Sequence, residues 1–557
     1  MPPENRAAVA ARARGVPPRL ATHLRAGLAS DPFGASALSR KEVVLAGALF
    51  GLLAAATYFG HVRGGGWYYD DWIIISALEL RDPGTSAFEA VQRASGSHRP
   101  GSVSVWAALH ALGGRGQAPY LLVGVGLVAV EAFLAYIVLR LARIARIVAV
   151  PAAAMLTVVP VIDSLRLWTM MFTATVAVIL MLAGFATSLV GMRLSRIRTV
   201  AVHAAALVLY AGSILTYELV AAPILVAVLL YRLVVPWRSA LRRWAADVLV
   251  VGVSVAFMAD AAREVRPPET STSFMLDRAE QMVRPAADVF GSLLPAERLL
   301  LGPGGLSLLG LGLAGCVAAV VRRDQLAGAI RHWTLVALGG LLFAVAGFVM
   351  LLPADPYFIP RLEGVGNRTS GVAVLGAIVL LVALLWLVAA GIASLLRRPA
   401  VASPVAAAAL AVTAIGMFET ELVHQHAWAS SWQQSQAVVS AIRTSVGPDV
   451  PPGTGIVTFR HTQFTVPGDV PVFAADWDLQ GAVRLLYNDR SVRGYPWKGD
   501  GDCSARGLKL GAPPWPGGVL QYRRLWFVDA TAFRARRIDS ELACLDAIGK
   551  LTGTPPR

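Results

Sequence analysis

Long apolar stretches alternate with short polar loops through the first three quarters of the chain. They fall near residues 42–60, 119–139, 147–162, 168–192, 199–216, 219–235, 245–262, 303–321, 333–352, 371–394 and 400–418. A helix needs roughly 20 apolar residues to cross about 30 Å of hydrocarbon, so the pattern predicts about 11 transmembrane helices. Three polar segments between them are long: 61–118, 263–302 and 353–370. The first predicts helices over Asp71–Leu80, Ala87–Ala94 and Val103–Leu112, with the modest apolar content of helices lying on a membrane surface. After residue 418 the pattern changes. Short runs at Gly455–Phe459, Val470–Ala475, Ala482–Tyr487 and Leu525–Val528 predict strands, and Ile538–Leu551 predicts a closing helix.

Composition agrees with a polytopic membrane protein. Of 557 residues, 56% are hydrophobic and only 15% charged, and the mean hydropathy is +0.59. The formal net charge of +15 points away from nucleic acid, because the excess arginine sits in alternate loops. Arg140/Arg143/Arg146, Arg193/Arg196/Arg198, Arg232/Arg238/Arg242/Arg243, Arg322/Arg323/Arg331 and Arg397/Arg398 share one side, with Asp324 the lone acid among them. The segment 61–118 balances five basic against five acidic side chains. By the positive-inside rule the amino terminus is cytoplasmic and the carboxyl-terminal segment extracytoplasmic. Residues 1–41 read as a basic, disordered cytoplasmic arm with no cleavable signal peptide. Residues 42–418 form the transmembrane domain. Residues 419–557, with 15 basic and 13 acidic side chains, form an extracytoplasmic α+β domain, the tail. Cys503 and Cys544 lie in the tail, where a disulfide can persist, either bridged or as two thiols; Cys316 reads as packing within a span.

The acidic residues at the outer span ends carry the chemical interest. Asp70 and Asp71, in Trp67-Tyr68-Tyr69-Asp70-Asp71-Trp72, follow the first span; Asp163 lies in a tight outer turn; Glu218 interrupts the run 199–235. Adjacent carboxylates against an apolar wall are costly to ionise, and a carboxylate with a raised pKa suits general base work. Asp70, Asp71 and Asp163 are therefore the catalytic candidates. Arginine's donor fork suits a departing phosphate, which selects Arg99, Arg166, Arg361 and Arg368, with Glu218 beside them. Trp72 and Tyr357, like Trp67 and Tyr68, could stack on a sugar face or serve the interfacial aromatic belt. Each acid also has a structural reading, as a helix cap or a partner for a nearby arginine. His98-Arg99-Pro100 and His424-Gln425-His426 are too incomplete for metal sites, and Asn367-Arg368-Thr369 is a short sequon match.

Taken together, Tyr69-Asp70-Asp71-Trp72 after the first span, the helical stretch 73–112 and Asp163 in the next outer turn resemble the GT-C superfamily of integral-membrane glycosyltransferases. The tail resembles the soluble domain that several members attach after the last span. The likeness covers residues 42–240 in architecture and is general beyond. It implies a polyprenyl-phosphate-sugar donor, a cell-envelope glycan, lipid or protein acceptor, and an inverting transfer with one aspartate as base, in a multi-pass plasma-membrane enzyme. No cofactor is fixed, and a divalent cation is left open because the superfamily varies in metal use. The alternatives are a transporter or flippase of lipid-linked saccharide, which would need charged groups deep in the spans, where the only clear candidates, Asp247 and Asp260, both lie near the ends of the seventh, and a non-catalytic envelope scaffold.

Overall fold

Among the described residues of the computed structural model, eight helices are long and apolar enough to cross a membrane: Arg40–Gly64, Gln117–Leu141, Thr169–Gly191, Thr199–Thr216, Trp237–Arg263, Gly328–Val349, Gly364–Leu395 and Pro399–Val446. The structure describes residues 38–96, 98–194, 196–263, 271–293, 327–354, 358–499, 501–510 and 519–552. The chain is a polytopic α-helical membrane protein, as its hydropathy requires, because a spanning segment in lipid must satisfy its own backbone. The expected spans at 147–162 and 219–235 are shorter than predicted. The first is the helix Arg146–Val158, with Pro151 inside it, ending in a 3-10 turn. The second breaks into Glu218–Val220, Ala221–Leu225 and Ala227–Arg232 around Pro223, whose ring cannot accept an uninterrupted helical ladder. The expected span 303–321, Cys316 within it and the arm 1–37 lie outside the described residues.

The helix Gly364–Leu395 is the central one: 83% of its apolar window is buried, against 22–28% for several peripheral spans. Gly340 and Gly376 let it meet Gly328–Val349 backbone to backbone. A Cβ at Gly340 would stand 2.5 Å from Leu380 N, and one at Gly376 would stand 2.4 Å from Ala344 N. Small residues at such crossings provide the close packing that membrane helices rely on.

The arginine-bearing loops gather at one end. Glu42 Oε1 accepts from Arg140 Nε at 2.7 Å and from Tyr136 Oη at 2.6 Å, and Glu42 also pairs with Arg146. Arg193 donates to Leu141 O at 2.6 Å, and Arg243 to Ser188 Oγ at 3.0 Å. At the opposite end, the first long polar segment forms three helices, Asp70–Glu79, Ala87–Ser95 and Pro100–Gly113, within a residue or three of expectation. Ser86 and Glu89 close a capping box on the second, and Pro100 opens the third, signals carried wholly by local sequence.

The last helix continues from Ala402 to Val446, 45 residues. At 1.5 Å per residue it is about 68 Å long, roughly twice the hydrocarbon thickness, so it carries the tail away from the bundle. The tail sheet has the order β2-β1-β6-β7, with β1 (Gly455–Phe459) parallel to both β2 (Arg493–Pro496) and β6 (Leu525–Asp529), and β7 (Arg534–Ile538) antiparallel to β6. The strands β3 (Asp502–Ser504), β4 (Gly507–Lys509) and β5 (Val519–Leu520) form a second small sheet. Strands expected at Gly455–Phe459 and Leu525–Val528 are present. Ala482–Tyr487 is instead the end of a helix, Asp476–Tyr487. Leu479, Ala482 and Val483 recur at helical spacing on its buried face, a period hidden in so short a run. Val470–Ala475 makes a single bridge, Phe464 to Pro471, since proline brings no ladder donor. The closing helix is Glu541–Thr552, and the Cys503–Cys544 disulfide ties it to β3.

Candidate active site

Asp70 and Asp71 open the outer helix, yet their environments differ. Asp71 is fully buried and accepts from Tyr68 N at 3.0 Å. Burial dominates its ionisation and pushes its pKa up to about 8, against the opposing pull of Thr169 and the backbone at Tyr68. Asp70 is only partly buried. Its pKa is also raised by desolvation, while the nearby Arg368 charge and the Trp477 indole favour the carboxylate. Trp477 Nε1 donates to Asp70 Oδ1 at 2.7 Å. The preceding turn is pinned from three sides: Trp168 Nε1 donates to Tyr68 O at 3.1 Å, Tyr68 Oη to Trp428 O at 3.0 Å, and Tyr69 holds φ +47°.

Arg368 reaches this mouth from the 3-10 turn Gly364–Ser370, the loop that opens the central helix. Its guanidinium lies over the Trp168 and Phe358 rings, 5.1 and 5.3 Å from their centroids, and has no carboxylate partner among the described residues. An arginine held by aromatic faces keeps its donor fork free for an anion. The adjacent Asn367 is fully buried. Its amide donates to Asp163 Oδ1 and its carbonyl oxygen accepts from Ser164, so it is closed to glycosylation. Asp163 is also buried, accepting from Trp428 Nε1 at 3.1 Å and standing 3.0 Å from His424 Nδ1. Asp163 thus braces the loop that bears Arg368 and does not face the mouth.

The other candidates divide similarly. Arg166 points into the bundle, where its buried guanidinium pairs with Glu131 and donates to Leu156 O at 3.2 Å. Arg99 pairs with Glu218, Nε to Oε2 at 2.7 Å, and lies over the Tyr217 ring at 4.7 Å. Burial alone would raise the Glu218 pKa, but Arg99 more than offsets it and holds it below the ordinary value. Arg361 makes an exposed pair with Asp469 of the tail at 3.0 Å. Trp72 is buried under the outer helix, stacked on Trp432 at 5.7 Å, and Trp67 and Tyr68 are buried too. Tyr357 lies outside the described residues. Asp247, one of the two seventh-span acids considered for a transporter, forms a buried ion pair with Arg243 and accepts from Tyr231 Oη at 2.8 Å.

Several participants escape sequence reasoning. Trp477 lies 407 residues from Asp70, and nothing local in Asp476-Trp477-Asp478 points to it. Glu131 and Trp168 sit within apolar runs and find their partners only through packing. Among the described residues no group of three or more His, Cys, Asp and Glu is disposed to hold a metal ion. The bundle also holds an apolar cavity of about 140 Å³ lined by residues such as Leu156, Trp333 and Phe343; none of the candidate aspartates, arginines or Glu218 lines it.

No family model matches the sequence, and no curated protein sequence matches it. Among solved structures, the chain is similar to the archaeal oligosaccharyltransferase AglB from Archaeoglobus fulgidus in complex with an inhibitory peptide and a dolichol-phosphate, at 12% identity and a TM-score of 0.43 over 83% of this chain and 65% of that one. It is also similar to ArnT from Cupriavidus metallidurans bound to undecaprenyl phosphate, at 16% identity and a TM-score of 0.35 over 80% of this chain and 84% of that one. A further structure of the archaeal enzyme, in complex with Zn and sulfate, is 14% identical with a TM-score of 0.40 over 81% of this chain and 62% of that one. The chain therefore spans a little under two thirds of the archaeal protein's length. These likenesses concern general architecture, and no residue's role is taken from them.

Proposed function

We infer that this chain is a membrane glycosyltransferase that moves a sugar from a polyprenyl-phosphate donor to a cell-envelope glycan, lipid or protein on the outer face. The observation that carries the reading is that Arg368, resting on the Trp168 ring that packs against Tyr69, lies near enough to Asp70 at one mouth of the bundle for its charge to favour the carboxylate. Asp70 is a partly exposed carboxylate with a raised pKa, within the influence of an arginine that has no carboxylate partner among the described residues. In the proposed step, Asp70 takes the proton from an acceptor hydroxyl as that oxygen bonds to the anomeric carbon. The bond from that carbon to the lipid phosphate oxygen breaks, and Arg368 stabilises the departing phosphate. A single displacement of this kind inverts the anomeric centre. Asp71 and Asp163 support the site from behind, and Arg99 with Glu218 forms its polar rim.

The gathering of arginine loops at the end opposite Asp70 supports a cytoplasmic amino terminus and an extracytoplasmic mouth and tail. The closed Arg243–Asp247 pair weighs against a transport path through the seventh expected span. The test is transfer of radiolabelled sugar from polyprenyl-phosphate mannose, arabinose and glucose, using membranes that contain wild type, Asp70→Asn or Asp71→Asn at matched expression, with and without Mg²⁺ or a chelator. Transfer by wild type, lost in Asp70→Asn, is the expected result. Full activity in Asp70→Asn would overturn the assignment.

A further inference from the structure

Trp477 belongs to the tail, yet it is the hydrogen-bond donor to Asp70. Its ring also stands edge-on to Tyr69, with centroids 5.3 Å apart. Tyr69 has φ +47°, a conformation that a non-glycine residue keeps only where its surroundings impose it. Tyr69 is held between Trp168 of the bundle, 5.9 Å away between centroids, and Trp477 of the tail. A Cβ at Gly481 would stand 2.3 Å from the carbonyl carbon of Trp72, so the tail helix rests directly on the backbone of the outer helix.

The same tail stretch grips the other half of the site. Gly364, at φ +65°, opens the loop that carries Arg368, and a Cβ there would stand 2.1 Å from Asp469 O. A Cβ at Gly468 would stand 2.6 Å from Ala427 Cβ on the long helix. Arg361 adds its ion pair to Asp469. Residues 468–481 therefore touch both the segment bearing Asp70 and the segment bearing Arg368.

We propose that the tail completes the active site: Trp477 is a positioning residue that holds Asp70 by one carboxylate oxygen and leaves the other for the acceptor, while the docked stretch 468–481 sets the spacing between Asp70 and Arg368. Asp70 Oδ2 has no hydrogen-bond partner among the described residues, as this division requires. The proposal rests on Asp70 being the base, and it makes the tail part of the catalytic unit rather than an appended binding module.

Trp477→Phe keeps the ring and its packing and deletes the N–H. A donor to a carboxylate favours the charged form, so its loss raises the pH at which Asp70 ionises. The first measurement is the pH dependence of Asp70 labelling by dicyclohexylcarbodiimide in the full-length protein, read by mass spectrometry. The midpoint is expected to rise by about one pH unit. The acid limb of kcat/KM for transfer from the same donor panel should rise with it, with the donor KM unchanged. Trp477→His, which restores an N–H, should recover part of the shift and guards against a folding defect. An unmoved midpoint in a Trp477→Phe protein that melts like wild type overturns the proposal. Labelling needs no substrate, so the two readings fail separately. A moved midpoint in a protein that transfers no sugar upholds the Trp477–Asp70 link and removes the transferase. An unmoved midpoint in a protein whose transfer needs Asp70 removes only the link.

Discussion

Asn367 donates its side-chain amide to Asp163, and the two lie 204 positions apart. This bond fastens the loop that carries Arg368 to the turn that carries Trp168, the ring beneath Arg368. Removing one partner of a buried, hydrogen-bonded charged group costs about 3–5 kcal/mol. Asp163→Ala should therefore lower the melting temperature in detergent and reduce transfer together. Asp70→Asn should abolish transfer at an unchanged melting temperature, and this contrast separates a brace from a base.

Arg368 sits on aromatic faces and pairs with no described carboxylate. Arg368→Gln should raise the KM for polyprenyl-phosphate donor about 10- to 100-fold, the range of a lost charge-assisted pair. Arg368→Lys should recover only part, because a point charge lacks the planar fork. Steady-state kinetics with varied donor read both.

The two aspartates should separate by pH. Asp71 has its folded-state pKa raised to about 8, above the unfolded value near 4. Between those values the folded chain holds a proton that the unfolded chain has lost. Stability from this residue is therefore full below about pH 4 and declines by about 1.4 kcal/mol per pH unit up to pH 8. Asp71→Asn, neutral throughout, should flatten that decline in thermal melts from pH 5 to 8 and change transfer only a few-fold. Asp70→Asn should cost roughly 100-fold or more in kcat, the usual contribution of a general base.

The Cys503–Cys544 bridge spans 41 residues of sequence and should contribute about 3–4 kcal/mol to the tail by restricting its unfolded chain. Replacing both with serine should lower the melting temperature of the tail. In sealed right-side-out vesicles, a membrane-impermeant maleimide should label both thiols after mild reduction and neither before. Labelling only after the membrane is opened would reverse the proposed orientation.

Local signals carried most of the helical framework. The apolar runs gave nearly every described span, because a backbone in lipid has no other partner than itself. The capping box at Ser86 and the proline at Pro100 are local signals that begin the second and third outer helices. Signals failed where partners are distant. The run 482–487 was short enough to suit strand or helix, and packing of Leu479 and Val483 decided for helix. Pro223 broke a span that hydropathy alone kept whole.

The site divides along the same line. Asp70 and Asp71 stood out by position, since two carboxylates at a span end are conspicuous against an apolar background. Their unequal burial was not in the sequence; it follows from tertiary packing that sets Asp71 against Tyr68, Thr169 and Met170 and leaves Asp70 partly open. The sequence by itself determined a polytopic helical chain, the side on which its arginines gather and the acid pair at the opposite mouth, all set by hydration and local backbone chemistry. Only the tertiary structure decided that Arg368 lies near Asp70, that Asp163 and Arg166 are turned to internal partners, and that Trp477 of the tail holds Asp70. Hydrogen bonds and desolvation act over a few ångströms in space, whatever the separation along the chain.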